Sequence, residues 1–310
     1  MAIIKNPLTL VKSGSSGVNP MQVYINNNDG NNIPSCDYLF YNFAGSSQAL
    51  EQMLFGVDTS QVINFRSMFH GCTSLTSIPV LNTSSGTNFS NMFFSCNSLT
   101  TIPQIDTSSG TNFSGMFSGC TLLTTIPQID TSLGTGFSDV FSYCNSLTTI
   151  PQIDTSSGRS FSNMFYQCNS LTSIPVLNTS SGRSFSGMFS GCNSLTTIPQ
   201  IDTSSGTNFS NMFDQCRQLT TIPTLNLSNG TNFSNMFSFC SNLKTFLAYG
   251  MKVSFNISAS TQFDRADLVT ILNNLATVSS TQTLTMGATN LAKLTADDIA
   301  IATNKGWTLA

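Results

Sequence analysis

The sequence predicts an α/β repeat solenoid, and three observations carry that expectation. Cys72, Cys96, Cys120, Cys144, Cys168, Cys192, Cys216 and Cys240 stand 24 residues apart without a slip, and a fixed period of this size marks a stacked-repeat architecture before any finer reading. Seven prolines, from Pro79 to Pro223, and two phenylalanine series, Phe65 to Phe233 and Phe69 to Phe237, keep the same interval. Within each period the apolar spacing changes from i, i+3, i+4, i+7 to a wider pattern, so each coil is expected to combine a short helix with a short strand.

The chain opens with residues 1–35, expected to be a docking or capping segment or, alternatively, a partly disordered leader. It has Gly-Ser punctuation at Ser13–Gly17 and a β-favouring run at Met21–Ile25, followed by an Asn-Asp-Gly turn signal. Lys5, Asn6, Pro7 and Lys12 interrupt its apolar residues, so it lacks the unbroken run of about 7 to 15 that a secretory leader needs. The expectation is that a leader has been removed, or that the protein leaves its cell by another route such as lysis. No stretch approaches the roughly 18 apolar residues of a membrane helix. Residues 36–63 read as a degenerate capping repeat, with Leu39-Phe40-Tyr41-Asn42-Phe43 in place of the regular M-F-x-x-C and Asp58-Thr59-Ser60 closing it.

The eight regular repeats fill residues 64–246. In the second, Phe89, Met92, Phe93 and Cys96 share one stripe of the expected helix and form its core contribution. Asn64, Asn88, Asn112, Gly136, Ser160, Ser184, Asn208 and Asn232 precede the first Phe of each unit. All are residue types that favour a helix N-cap, worth about 1 kcal/mol where a side-chain oxygen is present. Leu99, Ile102 and Ile105 complete the core from a β-branched stretch expected to be a short strand. Pro103 cannot donate to a ladder and should mark a strand end or a corner. Asp106-Thr107-Ser108-Ser109-Gly110 is a turn signal that closes the coil.

At residue 247 the period stops, and residues 247–310 are expected to form an α/β end cap, since the last apolar face of an array would otherwise meet water. Asp264 should begin a helix with Leu268, Ile271, Leu272 and Leu275 inward, Thr283–Met286 should be a strand, and Thr295 should cap a second helix ending before Lys305-Gly306-Trp307.

These units, with their D-T-S, M-F and C-x-x-L elements, resemble the BspA-type leucine-rich-repeat family of bacterial surface proteins and some bacteriophage structural proteins. The resemblance covers about residues 58–246, and the terminal module closing in K-G-W is similar to that of phage-borne proteins with such repeats. It implies a leucine-rich-repeat-like solenoid that binds or builds and does not catalyse.

Composition points the same way. Charged residues make up 8% of the chain against about a quarter in ordinary globular proteins. With a net charge of −3 there is no basic footprint, so nucleic acid is not an expected partner. The periodic thiols are expected to be buried and free, behaving as small hydrophobes, with no Cys-x-x-Cys pair to suggest a metal. Cys36 falls outside the period and is expected to be another buried or partly exposed thiol. His70 is the only histidine, which leaves a zinc site or a Ser-His-Asp arrangement without its parts, and it is read as a surface residue. No catalytic residue, metal site or cofactor is expected.

The candidate ligand-binding surface consists of residues that recur outward or break the pattern. Gln104, Gln128, Gln152 and Gln200 form a polar row interrupted by Val80, Val176 and Thr224; Asp106, Asp130, Asp154 and Asp202 form a second. Stacked carboxylates could gather calcium, but Asn82, Asn178 and Asn226 hold the same place, which points to a turn acceptor whose charge is incidental. Arg159 and Arg183 replace the usual Thr in adjacent repeats, a solvated pair or a contact for an anionic ligand. The Thr-Thr pairs also permit an ice-binding face, although the recurring Pro argues against flatness. The expected function is that of a bacteriophage virion protein of a tail, fibre or appendage. It would recognise a glycan or protein of a bacterial host surface and join other virion proteins through the N-terminal segment, with an oligomer possible and no membrane partner. The alternatives are a BspA-type adhesin at the bacterial cell surface or secreted, and a purely architectural virion protein.

Overall fold

The computed structural model describes residues 34–310 together with Met21, Gln22 and Ile25. The chain forms two compact units, one up to Ser157 and one from Gly158 onward. Both contain stacked 24-residue coils, but the inward segment of each coil is not the expected helix. The coil containing Cys96, in the first unit, shows what replaces it. Met92, Phe94 and Cys96 donate backbone N–H groups to the carbonyls of Phe89, Asn91 and Phe93, three residues back, at 3.1 Å each. The alternate amides, of Phe89, Asn91, Phe93 and Ser95, donate instead to Asn112, Ser114, Met116 and Ser118 of the next coil at 2.7–2.9 Å. Asn91 and Ser95 have φ of 55° and 57°. The segment is therefore a ribbon of linked turns with a left-handed residue every fourth position.

A ribbon prevails over a helix for two reasons. Isolated helices under about 12 residues are marginal, and the Asn, Ser and Gly between the apolar positions are weak helix formers of which Asn and Gly enter the left-handed region most readily. The ribbon also directs half of its amides between coils, which a helix cannot do. Its period of four places Phe89, Met92, Phe93 and Cys96 inside, as a helix would, and all four are buried. The expected N-caps have another role. Asn88 Oδ1 accepts from the Ser90 amide at 3.1 Å and its hydroxyl at 2.7 Å, an Asx turn. Asn64, Asn88, Asn112 and Gly136 pair backbone to backbone as successive parallel bridges.

In the first unit the rings of Phe65, Phe89, Phe113 and Phe137 stack at 5.6–6.2 Å, and those of Phe40, Phe69, Phe93, Phe117 and Phe141 at 5.7–5.8 Å. Beside them the thiols of Cys72, Cys96, Cys120 and Cys144 donate to the carbonyls of Phe40, Phe69, Phe93 and Phe117, one coil back, at 3.0–3.2 Å. The Phe69 carbonyl also accepts the Cys72 amide, so both of its lone pairs are engaged in the buried interior. The extended run after each Cys buries Leu99, Ile102 and Ile105 as expected, but it forms no named strand in this unit.

The front of the first unit departs from the regular coil. Cys36, Tyr38, Phe40 and Asn42 donate to Asn64, Arg66, Met68 and His70, so this stretch makes the same ribbon, while a longer connection holds helix α1, Ser47–Leu54, capped by Ser46. Met21 and Ile25 are buried, with helical backbone in place of the extended run expected there. Gln22 brackets Asp58, donating to its carbonyl at 2.9 Å and accepting from its amide at 2.6 Å. Pro34 and Ser35 are also described, the Ser35 amide donating to the Ile25 carbonyl at 3.0 Å, and the rest of the expected docking segment lies outside the described residues.

The second unit repeats the scheme. Cys192, Cys216 and Cys240 donate to Phe165, Phe189 and Phe213 at 3.0–3.1 Å, and two Phe stacks run at 5.4–6.1 Å. Only here does the extended run become a sheet: β1, Thr221–Asn226, pairs in parallel with β2, Thr245–Tyr249. The register slips between Ile222 and Leu225, so that Asn226 faces Tyr249.

Beyond β2 come β3 (Phe255–Asn256), α2 (Arg265–Asn274), β4 (Gln282–Thr285), α3 (Ala288–Leu291), α4 (Ala296–Thr303) and β5 (Trp307–Leu309). The three strands form a parallel sheet in the order β3-β4-β5. Asp264 and Thr295 cap α2 and α4 in capping boxes closed by Asp267 and Asp298. The K-G-W ending has a physical account. Lys305 Nζ donates to the last carbonyls of α2, including Leu272 at 3.2 Å and Leu275 at 3.1 Å, where a helix leaves its acceptors free. Gly306 turns at φ 85°, and Trp307 is buried with its Nε1 on the Ala276 carbonyl at 2.8 Å. Helix α2 packs against β2, Phe263 approaches Phe246, and the Ser260 hydroxyl donates to the Cys240 carbonyl at 3.0 Å. The last coil of this unit is thus covered.

Candidate functional site

Three sets of outward residues were singled out by the sequence, and the structure gives each a definite local setting. Three members of the glutamine row, Gln104, Gln128 and Gln152, lie on the first unit, and Gln200 lies on the second, where it donates to Thr224 and Ile201. Each Gln follows a proline, which has no N–H of its own, and its side chain donates to the next coil. Gln104 Nε2 donates to the Gln128 carbonyl at 2.7 Å and to its neighbour Ile105 at 3.2 Å. Gln128 does the same toward Gln152 and Ile129, and Gln152 donates to Ile153 at 3.1 Å. The amide donors of this row thus hold coils together while the side chains remain exposed.

The carboxylates of Asp106, Asp130 and Asp154 stand exposed in adjacent coils, each with Oδ1 accepting the amide two residues on, from Ser108, Ser132 and Ser156 at 2.8–3.0 Å. Hydrogen bonds from Ser108 and Ser156 hold the Asp106 and Asp154 carboxyls below the usual carboxylate range. Asn82 makes the same turn with Ser84. The Thr following the Asx donates its hydroxyl to the next coil, from Thr107 to the Asp130 carbonyl and from Thr131 to that of Asp154, both at 2.7 Å. Among the described residues no three His, Cys, Asp or Glu side chains converge on one point.

Arg159 and Arg183 lie in the second unit, exposed and adjacent, with the Arg183 amide on the Arg159 carbonyl at 2.8 Å. Thr207 and Thr231 continue their column. The thiols offer no chemistry to solvent: all nine are buried and unpaired by disulfides, and burial pushes those of Cys144 and Cys240 up to about 12. His70 is not the surface residue expected. Its ring is half-buried and stacked between Tyr41 at 4.7 Å and Phe94 at 4.6 Å, and burial lowers its pKa.

Sequence reasoning missed one further feature, an open groove of about 370 Å³ in the second unit. Its walls include Gln200, Asp202, Thr224, Asn226 and Tyr249. Asn226 faces Tyr249 across the strand pair and is one period after Asp202, so the tyrosine stands at the head of the Asx column. A signal was present: the period breaks at residue 247, and the residue that takes the column's place is aromatic. The one-residue slip that brings it there is not visible without the sheet.

The family model described as "Mycoplasma protein of unknown function, DUF285" matches residues 34–149 and 131–249, the greater part of the chain. No curated protein matches. Among solved structures, the chain is similar to one from a TLR13–ssRNA13 complex, with 14% identity over 86% of this chain and 45% of that one and a TM-score of 0.32. A leucine-rich cell surface protein of Faecalibacterium prausnitzii has 19% identity over 71% and 57%, with a TM-score of 0.32. An internalin of Listeria monocytogenes has 12% identity over 74% and 72%, with a TM-score of 0.27. The chain spans about half the length of the first two.

Proposed function

Since this chain belongs to the DUF285 family, whose model spans its repeats, we propose that it is a non-enzymatic recognition module of the BspA leucine-rich-repeat type, presenting a rigid polar surface to a biological surface. One observation carries the reading. Within each unit, side-chain and backbone bonds from coil to coil fix the framework rung by rung; outward Gln, Asp and Thr recur on the first at constant spacing, and Arg159 and Arg183 stand one period apart on the second. Such a surface is ordered before it meets a ligand, which lowers the entropic cost of binding, and extended repeat faces serve recognition widely.

We place this module on a bacteriophage particle, as part of a tail, fibre or appendage that engages a glycan or protein of the bacterial host. The support is the likeness of the repeats and of the K-G-W module to phage-borne proteins. A second reading, a protein at the surface of the bacterium itself, draws on the family description, which names a cellular organism. Mass spectrometry of purified particles and of washed cell envelopes separates the two. Presence in particles is expected, and its absence there with recovery from envelopes would transfer the protein to the cell. Adherence of the labelled protein to host cells, weakened by the double substitution Arg159→Ala and Arg183→Ala, tests recognition itself; no adherence to any candidate host would sink it.

A further inference from the structure

We infer that the groove headed by Tyr249 is a binding site for a neutral saccharide, an assignment that gives the proposed surface recognition one definite ligand class. The groove is about 370 Å³, within the small-ligand range of roughly 300–1,000 Å³. Tyr249 is 45% exposed, where the Asx column below it carries Asp202 and Asn226. A phenol ring left open at the end of a polar column offers an apolar platform with a polar tip, the counterpart of a pyranose, which has a face of C–H bonds and a rim of hydroxyls.

The polar walls suit that rim. Asp202 accepts the Ser204 amide on Oδ1 at 2.8 Å and a further hydrogen bond from the Ser204 side chain, and a carboxylate with about four lone-pair sites keeps acceptor capacity beyond these. Asn226 likewise uses Oδ1 for Ser228, leaving its NH2 as a donor. Thr224 adds an exposed hydroxyl. Acceptor, donor and hydroxyl beside one ring can satisfy vicinal sugar hydroxyls, each of which both gives and takes a hydrogen bond. Charge narrows the class: one carboxylate and no Lys or Arg line the groove, which disfavours acidic sugars. An extended peptide is disfavoured because β2 already pairs with β1 on one side and packs against α2.

The test uses the full chain with methyl glycosides of glucose, galactose and mannose as probes in saturation-transfer NMR, with N-acetylneuraminic acid and pentalysine as charge controls. Transfer to at least one neutral glycoside is expected, weakened tenfold or more by Tyr249→Ala and kept within about threefold by Tyr249→Trp. Asp202→Asn should weaken it threefold or more with the fold retained by circular dichroism, because Asn178 makes the same turn one coil earlier. No transfer to any neutral glycoside, transfer to a charge control alone, or equal transfer in Tyr249→Ala would overturn the assignment. Sugar binding lost in Tyr249→Ala supports the groove even if the wild-type protein adheres to no cell. Adherence by a wild-type protein that binds none of these sugars overturns the groove and leaves surface recognition standing.

Discussion

At the scale of single residues, the left-handed positions distinguish this ribbon from the helix it imitates. Gly115 has φ 65°, and a Cβ placed on it would run into Asn91 Oδ1 of the preceding coil. Gly115→Ala should therefore cost about 1–2 kcal/mol in chemical denaturation, and adding Asn91→Gly should restore part of the loss by removing the obstructing oxygen. The thiols set a second expectation. Burial raises the pKa of Cys144 to about 12, whereas an unfolded thiol titrates near about 8.5. The unfolded chain then releases protons that the folded chain keeps. The contribution is complete below the unfolded value and is withdrawn as pH rises toward the folded one, by about 1.4 kcal/mol per pH unit for each thiol so placed. The melting temperature should fall above about pH 9, while iodoacetamide at neutral pH modifies none of the nine cysteines until denaturant is added.

At the scale of elements, the proline-glutamine pair recurs in four coils, at Gln104, Gln128, Gln152 and Gln200. The proline has no N–H to give, and the glutamine side chain that follows it donates to the next coil. Gln128→Glu keeps the shape and loses the donor to the Gln152 carbonyl, so it should lower stability by about 1 kcal/mol. A Gln128→Glu protein that melts like the wild type would show that the row does not bind the coils. In the end module, Arg265 grips Asp298 through two bonds of 2.7 and 2.8 Å while Asp298 also caps α4 through the Thr295 amide. The Arg265 hydrogen bond, then that of Thr295, hold the Asp298 carboxyl down to about 2. Its contribution is present above the unfolded value of about 3.9 and is lost as pH falls toward 2. Asp298→Asn should lower the melting temperature at pH 7, and the gap to wild type should close in acid.

For the whole molecule, the consequence of identical coil-to-coil bonding is that length is negotiable in units of one period. Removing residues 88–111 joins Thr87 to Asn112 and keeps every column in phase. Stability in such arrays is a sum over neighbours, so this deletion should leave a cooperatively folded protein with its remaining thiols protected from alkylation. Removing residues 88–109 shifts every later column and should expose thiols to alkylation without denaturant. Circular dichroism melts and thiol counts on the two proteins decide the matter.

The sequence by itself determined the period, the inward set of Phe, Met, Cys, Leu and Ile, the Asx turns and the capped helices of the end module, because each is a matter of residue type at fixed spacing. It could not tell a ribbon of turns from a short helix, since Phe89, Met92, Phe93 and Cys96 point inward in either. Asn91, Gly115 and Asp139, all left-handed, were the available hint. Only the tertiary structure decided where the amides go, because that depends on a neighbouring coil supplying carbonyls at 2.7–2.9 Å. The same holds for the groove: Tyr249 joins the Asx column through a one-residue slip between β1 and β2, and register between strands is settled by packing, which no spacing within one strand records.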